Sequence, residues 1–123
     1  MELADMMLQL SKTPGPSGFE SNVREKAAEM LGCYMDEVKT DTMGNLIGVR
    51  RCGKSGAKKL LLDAHLDEIG LIVTHIEKGF LRFSTIGGVD PRMLPAREVT
   101  VLSDPPVFGV VSVMPPHVLS GED

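Results

Sequence analysis

The chain has 123 residues and a mass of 13.3 kDa, with 42% hydrophobic and 24% charged residues. That is the composition of one small folded domain, too short for a two-lobed enzyme, and it excludes a disordered or fibrous chain. A net charge of −4 and a pI near 5.3 argue against nucleic acid or an anionic membrane as partner.

No apolar run approaches the ~18 residues that a membrane span needs. The acidic start, MELADMMLQL, lacks the basic region of a secretory signal. Cys33 and Cys52 are too few and too far apart for a disulfide framework or a zinc knuckle. The expectation is two reduced thiols in a cytoplasmic protein, with Cys33 a small buried hydrophobe late in a helix.

Residues 2–11 have Leu3, Met6, Met7 and Leu10 at helical spacing. The stretch TPGPSG, residues 13–18, stops that helix, because Pro14 and Pro16 carry no N–H. A second helix is predicted from about Phe19 to Met35, with Phe19, Val23, Ala27, Met30, Leu31 and Tyr34 on one stripe and Ser17 or Ser21 as its cap. From Asp36 the period becomes two. Residues 36–40 and 45–51 read as a strand pair joined through Met43, Gly44 and Asn45. The basic cluster Arg50, Arg51, Lys54, Lys58 and Lys59 surrounds Gly53 and Gly56 and reads as a solvated turn.

Residues 59–64, KLLLDA, form a nearly continuous apolar run, the pattern of a strand buried on both faces. Residues 69–76 and 80–86 flank Lys78-Gly79, a hairpin turn, and after a loop over 87–95 come strands at about 98–103 and 107–113. The helical period never returns after Met35, so no helix of three or more turns is expected in residues 70–123. A strand buried on both faces needs cover on both sides, usually helices, and only two helices are predicted. The inventory reads as part of a fold.

The chemistry concentrates in residues 62–70, LDAHLDEIG. If the strand extends that far, Asp63, His65 and Asp67 share a face at its carboxyl end, where open α/β sheets place ligands. Neutral imidazole is a good ligand for zinc or cobalt, and a carboxylate bonded to the far ring nitrogen fixes the tautomer. Against that stands the plainer reading of a polar strand end in which His65 and Asp67 pair only with one another. A catalytic metal site needs about three protein ligands. His75 reads as an ordinary strand histidine, and His117, in a Pro-Pro-His run, as a loop residue with a structural or interface role.

The string AHLDEIGLIVTHIEKGFLRFSTIGGVDPRMLPAREVTV resembles the dinuclear metallo-aminopeptidases of metallopeptidase family 42. That family includes the glutamyl, deblocking and tetrahedral-assembly aminopeptidases, and some members carry the label endoglucanase M. PGPSGFE followed by a helix, DTMGNLIG, and the late FGVV…PPH resemble it in the same order. The resemblance implies an α/β fold. Residues 1–67 would be the first part of a helix-covered mixed sheet, the catalytic domain. Residues 68–123 would be the opening strands of an inserted antiparallel β domain through which members assemble.

It further implies that His65 is a metal ligand and that Asp67 orients it. Two divalent ions, zinc or cobalt, would serve a site where a metal-activated water, deprotonated by a glutamate, attacks the N-terminal bond of a peptide substrate. The bridging aspartate, the paired glutamates and the remaining ligands of the family lie further along than this sequence reaches. The expected partners are a second copy of the chain in a homo-oligomer or a complementary C-terminal fragment. The competing reading is a non-catalytic assembly module that uses the β-rich half as an interface. A weaker third, glycan hydrolysis, needs two acids flanking a sugar site, which Asp63 and Asp67 beside a histidine fit poorly.

Overall fold

A computed structural model describes residues 2–114; His117 lies outside them. The fold is mixed α/β, with two helices and small antiparallel sheets, and it divides into two compact units, Met1–Gly87 and Gly88–Asp123. Among the described residues no helix is long and apolar enough to cross a membrane.

Helix α1 (Leu3–Ser11) is built of strong helix formers, with Asp5 in the first turn facing the positive end of its dipole. Its last turn is closed by side chains. The Ser11 hydroxyl donates to the Met7 carbonyl (2.8 Å) and the Thr13 hydroxyl to that of Gln9 (2.8 Å), ahead of Pro14. None of its side chains is buried, and Leu3, Met7 and Leu8 face water.

Helix α2 (Ser21–Gly32) is shorter than predicted at both ends. Val23, Ala27 and Met30, at i, i+4 and i+7, are buried as the stripe requires, but Phe19 and Tyr34 lie outside the helix and are exposed. At its N-terminus the Phe19 N–H closes a turn onto the Pro16 carbonyl (2.8 Å), with Gly18 at φ 88° taking the left-handed conformation that glycine favours. Neither predicted cap forms: Glu20 is the capping position and makes no side-chain cap bond. The hydroxyl of Ser17 is committed elsewhere, and that of Ser21 accepts from Arg24. At the other end Gly32, a poor helix residue, precedes a final turn onto the Leu31 carbonyl. Cys33, just beyond it, is exposed rather than buried, because the stripe that contacts the core has ended; both cysteines are free.

Strands β1 (Glu37–Thr40) and β2 (Leu46–Val49) pair antiparallel, Glu37 opposite Val49 and Thr40 opposite Leu46. Asp41 organises their turn. One carboxylate oxygen accepts from the Met43 and Asn45 N–H groups and the other from the Asn45 amide, each at 2.9 Å. The basic stretch after β2 is exposed as expected.

The predicted strand over 59–64 is absent. Leu60, Leu61 and Leu62 are 84%, 87% and 85% exposed, and the segment has no regular secondary structure. A strand exists only through the hydrogen bonds of a neighbour, and the described residues supply none on either edge.

Strands β3 (Gly70–Glu77) and β4 (Phe80–Ile86) form the predicted hairpin. Lys78 and Gly79 turn with φ of 50° and 85°, the twist that a two-residue hairpin loop requires. An irregularity between Val73 and His75 shifts the register, and His75 stands exposed opposite Arg82.

In the second unit, β5 (Glu98–Val101) pairs antiparallel with β6 (Val107–Val110), each shorter than predicted, and Val111 is buried beside them. A 3-10 turn, Pro91–Met93, is capped by Asp90, whose carboxylate accepts from the Arg92 N–H (3.0 Å). It is the one helical element after Gly70 among the described residues.

The packing and the turn chemistry each lead to a measurable outcome. A Cβ added at Gly15 would stand 2.3 Å from Cγ1 of buried Val23. Gly15→Ala should therefore cost about 1–3 kcal/mol by overpacking, read as a lower urea midpoint at unchanged m. The bonds from Asn45 hold the Asp41 carboxyl below its ordinary value of 3.8. A depressed carboxylate contributes stability that is present above the ordinary value and is lost as the pH falls through the depressed one. Amide protection at Met43 and Asn45 should decline below pH 3.8, and Asp41→Ala should lack it at every pH.

Candidate metal-ligand site

The site is assembled by a pattern of missing donors. In Pro14-Gly15-Pro16-Ser17 the prolines have no N–H, which leaves two donors, on Gly15 and Ser17, spaced i, i+2. Glu68 takes both: its side-chain carboxylate accepts from the Gly15 N–H (3.1 Å) and its carbonyl from the Ser17 N–H (3.2 Å). In return the Glu68 N–H donates to the Gly15 carbonyl (2.9 Å). These bonds make an isolated parallel bridge between Pro16 and Glu68. The otherwise irregular segment that carries His65 and Asp67 is thereby tied to the loop between α1 and α2.

Within that frame His65 and Asp67 meet, as the sequence predicts. Nδ1 of His65 lies 3.1 Å from Oδ1 of Asp67 and 2.9 Å from its carbonyl oxygen. Both neighbours are acceptors, so Nδ1 carries the proton, and the Nε2 lone pair is left for a ligand. The second carboxylate oxygen of Asp67 accepts from the Ser17 hydroxyl at 2.5 Å. The Ser17 hydroxyl, and after it the His65 ring, hold the Asp67 carboxyl below the ordinary aspartate range. The imidazole is 85% exposed, whereas Asp67 is 40% exposed: the ligand-type group faces outward and its orienting group sits behind it. Asp63, predicted to share their face, is exposed and outside this cluster, because without a strand the i, i+2, i+4 alternation does not operate.

Among the described residues no three His, Cys, Asp or Glu side chains gather closely enough to hold a metal ion. The donor set fits a borderline ion as one imidazole ligand with its orienting carboxylate, and needs further ligands to close a site. Sequence reasoning misses Ser17, which it reads only as a helix cap. The signal for its other use, a contact across fifty residues, is not contained in local pattern.

Comparison with known proteins bears on this arrangement. Residues 44–123 match the family model described as M42 glutamyl aminopeptidase. The chain belongs to the M42 peptidase family. The lysyl aminopeptidase of Pyrococcus furiosus is 39% identical over 117 residues, which span 93% of this chain and 33% of that protein. The crystal structure of a TET aminopeptidase from a marine-sediment Thaumarchaeota archaeon superimposes with a TM-score of 0.86 at 32% identity, over 96% of this chain and 33% of its own. PhTET1-12s, a dodecamer in the asymmetric unit, gives 0.77 at 34% identity, over 98% of this chain and 36% of its own. The chain thus spans about a third of the length of the M42 relatives it matches.

With one oriented imidazole, the chain alone should bind zinc or cobalt weakly. Calorimetry checks this: a tight, stoichiometric site abolished by His65→Ala would contradict it.

Proposed function

We propose that this chain is the N-terminal portion of an M42 metallo-aminopeptidase, acting on the N-terminal residues of peptides in the cytoplasm. The observation that carries the reading is the His65 ring, with Nδ1 donated to Asp67 and Nε2 left open. In this proposal His65 is a metal ligand and Asp67 holds its orientation and tautomer. A pair of divalent ions, zinc or cobalt, supplies Lewis-acid activation when bound. Ser17 and Glu68 hold the loop that presents the ligand.

Residues 1–67 are proposed as the first part of the catalytic domain and 68–123 as the opening of the inserted β domain. Among the described residues both α-helices precede Glu68, which supports this division. PhTET1-12s is a dodecamer, and a homo-oligomer is proposed here on that likeness. The exposed Leu60–Leu62 stretch supports a partner in the form of further chain, in cis or as a complementary fragment.

The test is hydrolysis of aminoacyl-p-nitroanilides with cobalt. The 123-residue chain alone should be inactive. Supplying the remaining two thirds of a relative's chain should restore turnover, which His65→Ala should abolish. Metal-dependent turnover by the chain alone would overturn the reading. No turnover from the complemented chain would favour a non-catalytic assembly module.

A further inference from the structure

We propose that Ser17 is a positioning residue for the ligand histidine: its hydroxyl fixes the Asp67 carboxylate, and through it the tautomer of His65. This deepens the metallo-aminopeptidase reading and rests on it for its consequence in catalysis.

Ser17 is held at two points of one neighbouring segment. Its N–H donates to the Glu68 carbonyl (3.2 Å) and its hydroxyl to Oδ2 of Asp67 (2.5 Å). The backbone bond, backed by the reciprocal bond from the Glu68 N–H to the Gly15 carbonyl (2.9 Å), sets where the hydroxyl stands. The hydroxyl then sets how the carboxylate is turned. With Oδ2 engaged, Oδ1 is directed at Nδ1 of His65, 3.1 Å away. A half-exposed carboxylate without this tether would rotate among solvated rotamers. The Nδ1 proton would then be held by the Asp67 carbonyl alone, at 2.9 Å.

The hydroxyl contact, an ionised acceptor with a short O–H donor, is of the stronger kind. Its effect reaches the metal-facing atom because the two ring nitrogens exchange roles: a proton kept on Nδ1 is a lone pair kept on Nε2. The chain's first loop and its ligand segment thus act as one unit, and Ser17 acts on His65 through Asp67.

The experiment reads the His65 tautomer in the metal-free 123-residue chain by two-bond nitrogen–proton correlation at neutral pH. Ser17→Thr and Ser17→Val have the same shape and differ in the hydroxyl, and Ser17→Ala removes both. The wild-type chain and Ser17→Thr should show predominantly the Nδ1–H form. Ser17→Val and Ser17→Ala should move the ratio toward Nε2–H by roughly fivefold, the equilibrium worth of one ordinary hydrogen bond. Protection of the Glu68 amide, followed in each variant, reports whether the two segments stay paired.

An unchanged ratio in Ser17→Val and Ser17→Ala would overturn the proposal. So would a shift in Ser17→Thr equal to that in Ser17→Val, which would mean that the ratio follows shape or pairing and not the hydroxyl. Addition of cobalt separates this from the reading beneath it. If the wild-type His65 ring signals do not respond to millimolar cobalt, the ligand assignment fails while the tautomer result stands.

Discussion

The first unit depends on one exchange of hydrogen bonds, between a loop that has lost half its donors and a single glutamate. Proline at 14 and 16 strips the loop to two N–H groups, and Glu68 takes one with its side chain and the other with its backbone. Without this bridge residues 58–69 would have no backbone–backbone bond to the rest of the described chain, which Glu68 alone supplies through Gly15 and Ser17. The bridge also explains two close approaches that tolerate no side chain. Gly15 lies against Val23 of α2, and a Cβ at Gly70 would stand 2.7 Å from that of Pro16. Small residues are required where the loop is pinched between the helix and the start of the hairpin.

Local features were legible in the sequence where local physics decides them. The buried positions of α2, the Lys78-Gly79 turn and the β1–β2 pair all follow from spacing within a few residues. The His65–Asp67 contact, expected on a shared strand face, forms without the strand. What was not legible depends on residues distant in sequence. KLLLDA has the pattern of a buried strand, and that pattern describes an environment that the described residues do not supply. Ser17 illustrates the same limit in reverse. As a helix cap it would serve α2 locally, yet the Asp67 carboxylate, a charged acceptor, wins its hydroxyl from the helix N–H groups. The family resemblance carried what spacing could not, namely the expectation that this HxD pair belongs to a larger constellation.

The division of labour at the site is consistent with that incompleteness. Asp67 is the better covered member, tied to Ser17 and to His65, while the imidazole projects outward. In the proposed role of metal ligand, a side chain so placed is prepared before anything binds it, since its ring orientation and proton position are already set by the protein. The cost of ordering that residue is met during folding of the first unit and need not be met again on binding.

The exposed leucines have a consequence in time. A ribosome making a chain as long as the relatives would still need on the order of tens of seconds after Leu62 to finish it. In such a chain Leu60, Leu61 and Leu62, exposed here, would stand in water until later residues covered them, as a short, strongly apolar segment of the kind that other nascent chains can capture. Lys58 and Lys59 precede it and Asp63 follows it directly. Charges at both ends disfavour stacking of like segments, so Lys58, Lys59 and Asp63 act as gatekeepers for this apolar run.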